Sequence, residues 1–485
     1  MKELKHNLKV QPYEYQCEGI MQGLAWKRLF IGDEPGLGKT LQSIGIVDIA
    51  DAYPCLVICP SSLKINWQRE FEKFTDKKAL VLDDSTRTTW PYLLQMKLFS
   101  AAIVNYESLR KFFVLDINGD KSSFRVKDVV FSSYIQQFKA VIIDESHRVK
   151  DPGAQQTKFA KGIASGKEYI ILLSGTPVVN RPADLVSQLS IMDRLREFGG
   201  MGQFMSDYGD GENLDRLSRE LYQRCMIRRE KAKVLTQLPD KTRVDLHVEI
   251  SNREEYDLAA SDLAQYLRDY KNCSDREIRR KMRMKALVMF MTLRSLSGKG
   301  KVKQTIDFIR VFLETGKALI LFCAHHEIVD ELKKAFPKSV SITGRESLLQ
   351  KQWAVDSFQN GQTKLIICGI KAAGVGLTLT ASSNVAFIEL PWTYADCCQC
   401  EDRAHRIGQK DNVTCYYLLG TRTIDTRLYA IIHKKKSIAN QIMNADDDIP
   451  TDEAYFNELV QAFLEEYGAN RLLWHNQSMN AFSRK

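Results

Sequence analysis

Asp33-Glu34-Pro35-Gly36-Leu37-Gly38-Lys39-Thr40 stands between a short apolar run, Leu29 to Ile31, and a helical pattern, Leu41 to Ile49. A Gly-rich turn between a strand and a helix, ending in lysine and a hydroxyl residue, is the setting of a phosphate-binding loop. A triphosphate is densely charged, and consecutive backbone N–H groups with the following helix terminus hold it without long side chains. Gly36 and Gly38 permit the tight turn. Lys39 is expected to reach the β and γ phosphates, and Thr40 to ligate Mg²⁺. The strict pattern has Gly five residues before Gly38, where this chain has Asp33. An ordinary loop is the alternative.

Further along, Asp144-Glu145-Ser146-His147 follows the apolar run Val141-Ile142-Ile143. That puts two carboxylates at the C-terminal edge of a buried strand, where ligands gather in open parallel sheets. Asp144 suits Mg²⁺, and Glu145 suits orienting or activating the attacking water. Ser174-Gly175-Thr176-Pro177 follows another strand, Ile171-Leu172-Leu173. Its hydroxyls, Ser174 and Thr176, are placed to sense the γ phosphate, although the same residues also make a good turn. Upstream of the loop, the Gln16 amide of Tyr15-Gln16 can donate to and accept from adenine; a surface Gln in a helix is the alternative. Near the far end, Gln399 opens a stretch containing Arg403 and Arg406. Spaced by three, the arginines share a face if Tyr394 to His405 is helical, and planar guanidinium groups grip phosphate oxygens. A solvated basic helix is the alternative. Together these stretches point to an ATP-driven motor rather than a simple binding module.

The rhythm around these motifs is α/β. Strand candidates in the first half are Arg28 to Ile31, Cys55 to Cys59, Ala101 to Val104, Ala140 to Ile143 and Tyr169 to Leu173. Short apolar strands separated by helices indicate a buried parallel sheet. Phe113 to Leu115 and Phe124 to Val126 flank Asn118-Gly119-Asp120 and read as an inserted hairpin within 111–130. Val244 to Ile250 alternates like a strand, and Arg253 to Ser295 is rich in helix formers. A second alternating unit has candidates at Ala318 to Cys323, Val340 to Ile342, Lys364 to Cys368, Val385 to Glu389 and Val413 to Leu418. The expected organisation is a first ATP-binding domain over 1–235, a linking strand and helical insertion over 236–300, a second parallel-sheet domain over 301–445, and a helical extension over 446–485 packed on it.

Composition sets looser bounds. The 485 residues are 44% hydrophobic, enough for several cores. A formal net charge of +9 permits a polyanion partner without demanding one. Scattered cysteines within apolar runs, such as Cys59, Cys323 and Cys368, suit buried thiols in a reducing compartment. Cys397, Cys398 and Cys400 include one Cys-x-x-Cys spacing, but structural zinc wants a second pair or nearby histidines, so core thiols are expected. With no apolar core after Met1 to Lys9 and no bilayer-length apolar run, the expectation is a soluble intracellular protein.

Read together, the motifs resemble the Snf-type branch of superfamily 2 helicases over residues 10 to 435. In that family the loop is written Asp-Glu-x-Gly-Leu-Gly-Lys-Thr, which accounts for Asp33; Pro35 replaces the usual Met and stiffens the loop. Tyr15-Gln16 resembles the family's adenine-reading element. Cys59-Pro60-Ser61-Ser62 with Trp67, and Asn105-Tyr106-Glu107, resemble its first-domain DNA-contacting motifs. Asp144 to His147 resembles its Mg²⁺ and water-activating motif, in the form seen in the subgroup of compact annealing helicases. Ser174 to Pro177 with Asn180 resembles its coupling motif. Gly374 to Thr380, with Gly374, Gly376 and Thr378, resembles a motif linking DNA to ATP, and Pro391-Trp392 also fits. Gln399 to Arg406, followed by Ile407-Gly408-Gln409, is the most specific match.

The resemblance implies two tandem RecA-like parallel-sheet domains, with Arg403 and Arg406 acting on the triphosphate from the second. It also implies ATP hydrolysis with Mg²⁺ and sliding along double-stranded DNA by a lean monomeric translocase, with targeting left to another protein. Such a protein works in the nucleus of a eukaryote, or in the cytoplasm or nucleoid of a prokaryote or a virus-infected cell. A strand-separating helicase, an ATP-switched DNA-binding scaffold and an RNA-directed motor remain alternatives. Lys299, Lys301, Lys303 and Arg279-Arg280-Lys281 are candidate extra backbone contacts; a solvated basic face is their alternative.

Overall fold

The computed structural model describes residues 6–121, 123–175, 182–209, 213–235, 238–373, 377–392, 394–439, 456–457 and 459–465. Of the predicted site residues, Thr176, Gly374 and Gly376 lie outside them, as does Asn180.

The chain divides into two compact units, broadly residues 1–238 and 239–485 apart from short exchanged segments. The first is built on a seven-stranded sheet among the described residues. Its order is Ala79–Val81, Ala101–Asn105, Cys55–Cys59, Ala140–Asp144, Tyr169–Leu173, Arg28–Ile31 and Met226–Ile227. Every pairing is parallel. Central strands such as Cys55–Cys59 and Tyr169–Leu173 are buried throughout, because helices cover both faces of a parallel sheet. One core layer gathers Phe30, Leu56, Val141 and Ile143, and the opposite layer Leu29, Ile31, Val57 and Ile142. The two edge strands, Ala79–Val81 and Met226–Ile227, escape sequence reading because three and two residues are too few to show a period.

The hairpin is present with a different partner. Val114–Ile117 pairs antiparallel with Val129–Phe131, not with Phe124 to Val126. Phe124 is buried instead, stacked on Phe159 at 5.7 Å. The turn is therefore a long loop, and Asn118-Gly119 forms only part of it.

The second unit has a six-stranded, all-parallel sheet among the described residues: Lys241–Val248, Val413–Gly420, Asn384–Phe387, Leu319–Cys323, Leu365–Gly369 and Val340–Ile342. Lys241–Val248, the strand expected to link the domains, is its edge strand and pairs along its whole length with Val413–Gly420. The helical stretch is a pair of helices, Arg253–Asn272 and Arg276–Glu314. The Asp275 side chain caps the second, accepting from the Ile278 N–H at 2.9 Å. That helix runs unbroken past 300 to the flank of the sheet.

The C-terminal helical residues 456–457 and 459–465 pack on this helix pair rather than on the sheet. Phe456 meets Tyr270 edge-to-face at 5.4 Å, and Phe463 meets Phe290 at 5.6 Å. Aromatic positions on the helices offer the larger apolar surface, which decides where an amphipathic helix docks. Among the described residues, no helix is long and apolar enough to cross a membrane.

Candidate functional site

Five neighbouring strand ends of the first sheet carry the predicted first-unit groups that follow strands: Asn105, Ser61, Asp144 with Glu145, Ser174, and the loop leading to Lys39. All five strands are parallel, so these residues gather on one edge of the sheet.

The loop reaches the helix Lys39–Ile49 through Gly38 in the left-handed region, φ 74°, with Gly36 at φ 89°. Only glycine adopts these angles without strain. A Cβ on Gly38 would also lie 2.4 Å from Gln16 Nε2, so the loop fits only as written. Gln16 is buried, not a surface residue. Its Oε1 accepts from the Tyr13 N–H at 2.9 Å, and its Nε2 donates to the Leu37 carbonyl at 3.1 Å. Tyr15 donates to the same carbonyl at 3.0 Å. The adenine-reading candidate is thus bonded directly to the phosphate loop.

Asp33 is fully buried beneath the loop and accepts from Gln42 Nε2 at 2.9 Å and Arg229 Nη1 at 3.0 Å. Lys39 Nζ donates to the Asp33 carbonyl at 2.7 Å. Burial lowers the Lys39 pKa, while Glu145, Asp33 and Asp144 oppose the shift. That mutual influence brings lysine and both carboxylates into one electrostatic cluster. Thr40 begins the helix beside Lys39, half-buried.

Asp144 is held by two donors. The Trp67 indole N–H donates to Oδ2 at 2.9 Å, and the Glu145 N–H donates to Oδ1 at 2.9 Å. Burial and the Glu145 charge push its pKa up to about 7, against the Trp67 hydrogen bond and Lys39. A buried carboxylate raised this far is short of positive charge. Thr40 follows Lys39, whose charge Asp144 influences, and its hydroxyl with the Asp144 carboxylate makes an all-oxygen donor set of the kind a hard divalent cation such as Mg²⁺ takes. Glu145 itself sits at φ 51°, in the left-handed region, which costs a non-glycine residue energy and is repaid by its surroundings. Tyr106 donates to the Asp144 carbonyl at 2.5 Å. His147 Nδ1 lies 3.5 Å from Glu145 Oε2 and 3.1 Å from Ser174 Oγ, so the coupling serine is joined to the carboxylate motif through one imidazole. Ser61 is exposed at the start of a short 3-10 turn, and Asn105 donates to Glu107 at 2.8 Å.

In the second unit, the expected helix Tyr394 to His405 stops at Glu401. Arg403 and Arg406 follow in turns, so they do not share a helical face. Its last residue, Glu401, is fully buried and gripped by Arg243 through both oxygens at 2.6 and 2.7 Å, by Lys241 at 2.8 Å and by Tyr417 at 2.7 Å. Desolvation alone would raise the Glu401 pKa, but Lys241 and Arg243 outweigh it and hold the carboxyl below its usual range. Arg403 is buried with its carbonyl accepting from Leu379 N–H at 2.9 Å; Arg406 and Gln399 are half-buried, as is Thr378. Gln409 closes the turn by donating to the Ser382 carbonyl at 2.9 Å. Trp392 is buried beneath the Arg294 guanidinium, 5.0 Å from its ring centre, and does not offer its face to solvent. Burial pushes the Cys398 thiol up to about 11 and raises Cys397 and Cys400 well above their ordinary value, so all three are neutral thiols at pH 7.

Among the extra basic candidates, Lys301 is corrected. It is fully buried and donates to Asp425 Oδ2 at 2.5 Å and to the Leu418 carbonyl at 2.8 Å. Lys299 pairs with Glu327 at 2.5 Å on the surface. Arg279 lies over the Tyr270 ring at 5.1 Å, while Arg280, Lys281 and Lys303 are exposed. Lys301→Ala is expected to destabilise the fold by about 3–5 kcal/mol, because Asp425 is left buried without its cation. Urea unfolding measures this; weaker duplex-DNA binding at unchanged stability would contradict the assignment.

Residues 15–300 match the model of the SNF2-related domain. The chain belongs to the SNF2-related family. Residues 300–408 of this SNF2-related chain match the helicase conserved C-terminal domain. A Caenorhabditis elegans homologue of the SWI/SNF-related matrix-associated actin-dependent regulator of chromatin subfamily A-like protein 1 is 30% identical over 94% of this chain and 66% of its own length. The human DNA annealing helicase and endonuclease ZRANB3 is 29% identical over 91% of this chain and 41% of its own. An uncharacterized ATP-dependent helicase of Mycoplasma pneumoniae is 28% identical over 91% and 43%. The SNF2-related chain therefore spans from 41% to 66% of the length of these relatives. A solved Sulfolobus solfataricus SWI2/SNF2 ATPase core in complex with double-stranded DNA is 21% identical, with a TM-score of 0.42 over 92% of this chain and 96% of that one.

Sequence reading of this SNF2-related chain missed the groups that hold the motif residues. Arg229, Arg243 and Lys241 lie outside every quoted motif, and no local pattern marks them. Trp67 and Tyr106 were visible only as parts of DNA-contact motifs, not as partners of Asp144.

Proposed function

We propose that this SNF2-related chain is a DNA-dependent ATPase that couples hydrolysis to movement along duplex DNA. The observation that carries this reading is the cluster of Lys39, Asp144 and Glu145 beside the glycine loop, joined through His147 to Ser174. A binding scaffold needs the loop alone. The second acidic residue and its imidazole contact suit a chain that turns its nucleotide over.

The proposed roles rest on the motif resemblance and, for Lys39, Asp144 and Glu145, on their shared cluster. Loop N–H groups and Lys39 hold the phosphates and neutralise charge as it builds on the transferring group. Asp144 and Thr40 would hold Mg²⁺, which when bound neutralises phosphate oxygens. Glu145 orients the attacking water and takes up its proton. Arg403 and Arg406 are the second unit's contribution to the triphosphate. Ser174, hydrogen-bonded to His147, reports the state of the carboxylates to the neighbouring loops. Ser61, Asn105 and the segment around Thr378 are the proposed backbone contacts. In this reading duplex DNA is the partner, found in the nucleus or nucleoid. The chain works as a monomer, and a separate protein supplies any targeting.

The test is ATP turnover alone, with single-stranded DNA, with blunt duplex DNA and with duplex RNA. Stimulation by blunt duplex DNA is expected, followed by displacement of a triplex strand. Turnover indifferent to every nucleic acid would overturn the motor reading. A strand-separating role has one observation in its favour: Leu115 on the hairpin is 71% exposed, as a wedge would be. Unwinding of a forked duplex, lost on Leu115→Asp, would establish it.

A further inference from the structure

The buried edge of the first sheet holds two aromatic side chains that the proposed reaction has not used. Trp67, only 1% exposed, lies in the helix Lys64–Phe74, and its indole N–H donates to Asp144 Oδ2 at 2.9 Å. Tyr106, equally buried, follows the strand Ala101–Asn105. Its hydroxyl donates to the Asp144 carbonyl at 2.5 Å and lies 3.4 Å from the Glu145 carbonyl. The Arg148 guanidinium sits 5.9 Å from the Tyr106 ring centre and pairs with Glu107 at 3.4 Å.

Each contact does something a filler of the core would not. With the Glu145 N–H on Oδ1 and the indole on Oδ2, both Asp144 oxygens are oriented, and each keeps a lone pair. A carboxylate fixed in this way presents those lone pairs in one direction, which is how outer partners tune a metal ligand. Glu145 needs a different kind of help. Its left-handed backbone, φ 51° and ψ 52°, is strained, and the Tyr106 hydroxyl grips the carbonyls on either side of that bend.

The geometry points to Trp67 and Tyr106 as positioning residues of the ATP site: Trp67 aims the Asp144 carboxylate at a divalent cation, and Tyr106 holds Glu145 in its bent conformation. The inference rests on the ATPase reading and adds to it two residues that act through Asp144 and Glu145. It also separates their effects. Trp67 acts on cation binding, and Tyr106 on the rate of turnover.

The experiment uses the full chain, its Trp67→Phe and Tyr106→Phe variants, and a fluorescent non-hydrolysable ATP analogue titrated with Mg²⁺ at equilibrium. Trp67→Phe should raise the half-saturating Mg²⁺ about tenfold. Tyr106→Phe should leave that concentration near the parent's while lowering kcat about tenfold, with KM for ATP little changed. Tyr106→Phe removes only a hydroxyl, whereas Trp67→Phe removes the indole N–H together with part of a buried ring, so a melting curve checks that each variant folds; if one does not, the other still tests its own half of the inference. Loss of melting temperature with parent-like Mg²⁺ dependence and parent-like kcat would mean purely structural roles and would overturn the proposal. A parent protein that binds the analogue without hydrolysing ATP would instead overturn the reading on which the proposal stands.

Discussion

Lys39→Ala is expected to reduce ATP turnover by at least about 10³-fold, to the background of the assay. The side chain is the cation that the loop itself supplies. Burial works against its charge, and Glu145, Asp33 and Asp144 oppose that shift in part. Phosphoryl transfer offers a protein little covalent work, so its catalysis is positioning and charge stabilisation, and Lys39 does both. Removing it also leaves Asp144 and Glu145 facing each other without their nearest positive charge, so the nucleotide meets a more negative site. Affinity for the ATP analogue should fall as well. The measurement is duplex-stimulated turnover beside a melting curve; parent-like turnover in a folded variant would refute the site.

Arg406→Ala is expected to lose about 10³-fold in turnover while keeping analogue affinity within a few-fold of the parent, the behaviour of a guanidinium that meets charge only as it develops. Arg406 is the better residue to test, because the Arg403 side chain is buried. Truncating Arg403 would confuse catalysis with folding. Arg406 is half-buried in the turn beyond Glu401. Unchanged turnover in Arg406→Ala would remove the second unit from the chemistry.

The central strands of both sheets were legible because they are short, largely apolar and separated by helices. Arg28–Ile31, Cys55–Cys59 and Tyr169–Leu173 appear with the bounds their composition suggests. The glycine loop was legible because its chemistry is local: a strand, a turn and a helix in one run of residues. What stayed hidden is contact between distant residues. The helix ends at Glu401, short of the expected His405, and nothing nearby in sequence announces that Lys241 and Arg243 will grip that buried carboxylate. Lys301 looked like a solvated charge because its partner, Asp425, is more than a hundred residues away. The hairpin misled for the opposite reason: a strong local turn signal at Asn118-Gly119 outweighed the burial of Phe124, which only the tertiary structure reveals.

The helix Arg276–Glu314 has one more consequence. At 39 residues it is about 58 Å long for a rise of 1.5 Å per residue. It carries no proline, and its two glycines do not loosen it. A Cβ on Gly298 would lie 2.8 Å from Ile328 Cδ1, and one on Gly300 would lie 2.1 Å from Asn252 Oδ1, so the helix is clamped there at close range. Lys301 bolts the same turn to Asp425. Beyond the clamp, the 22 residues from Arg276 to Ser297 extend about 33 Å, braced by the partner helix. The exposed Arg280 and Lys281 ride near the far end. Arg280 and Lys281 are therefore held about 26 Å along the helix axis from the clamp, on a helix without a break.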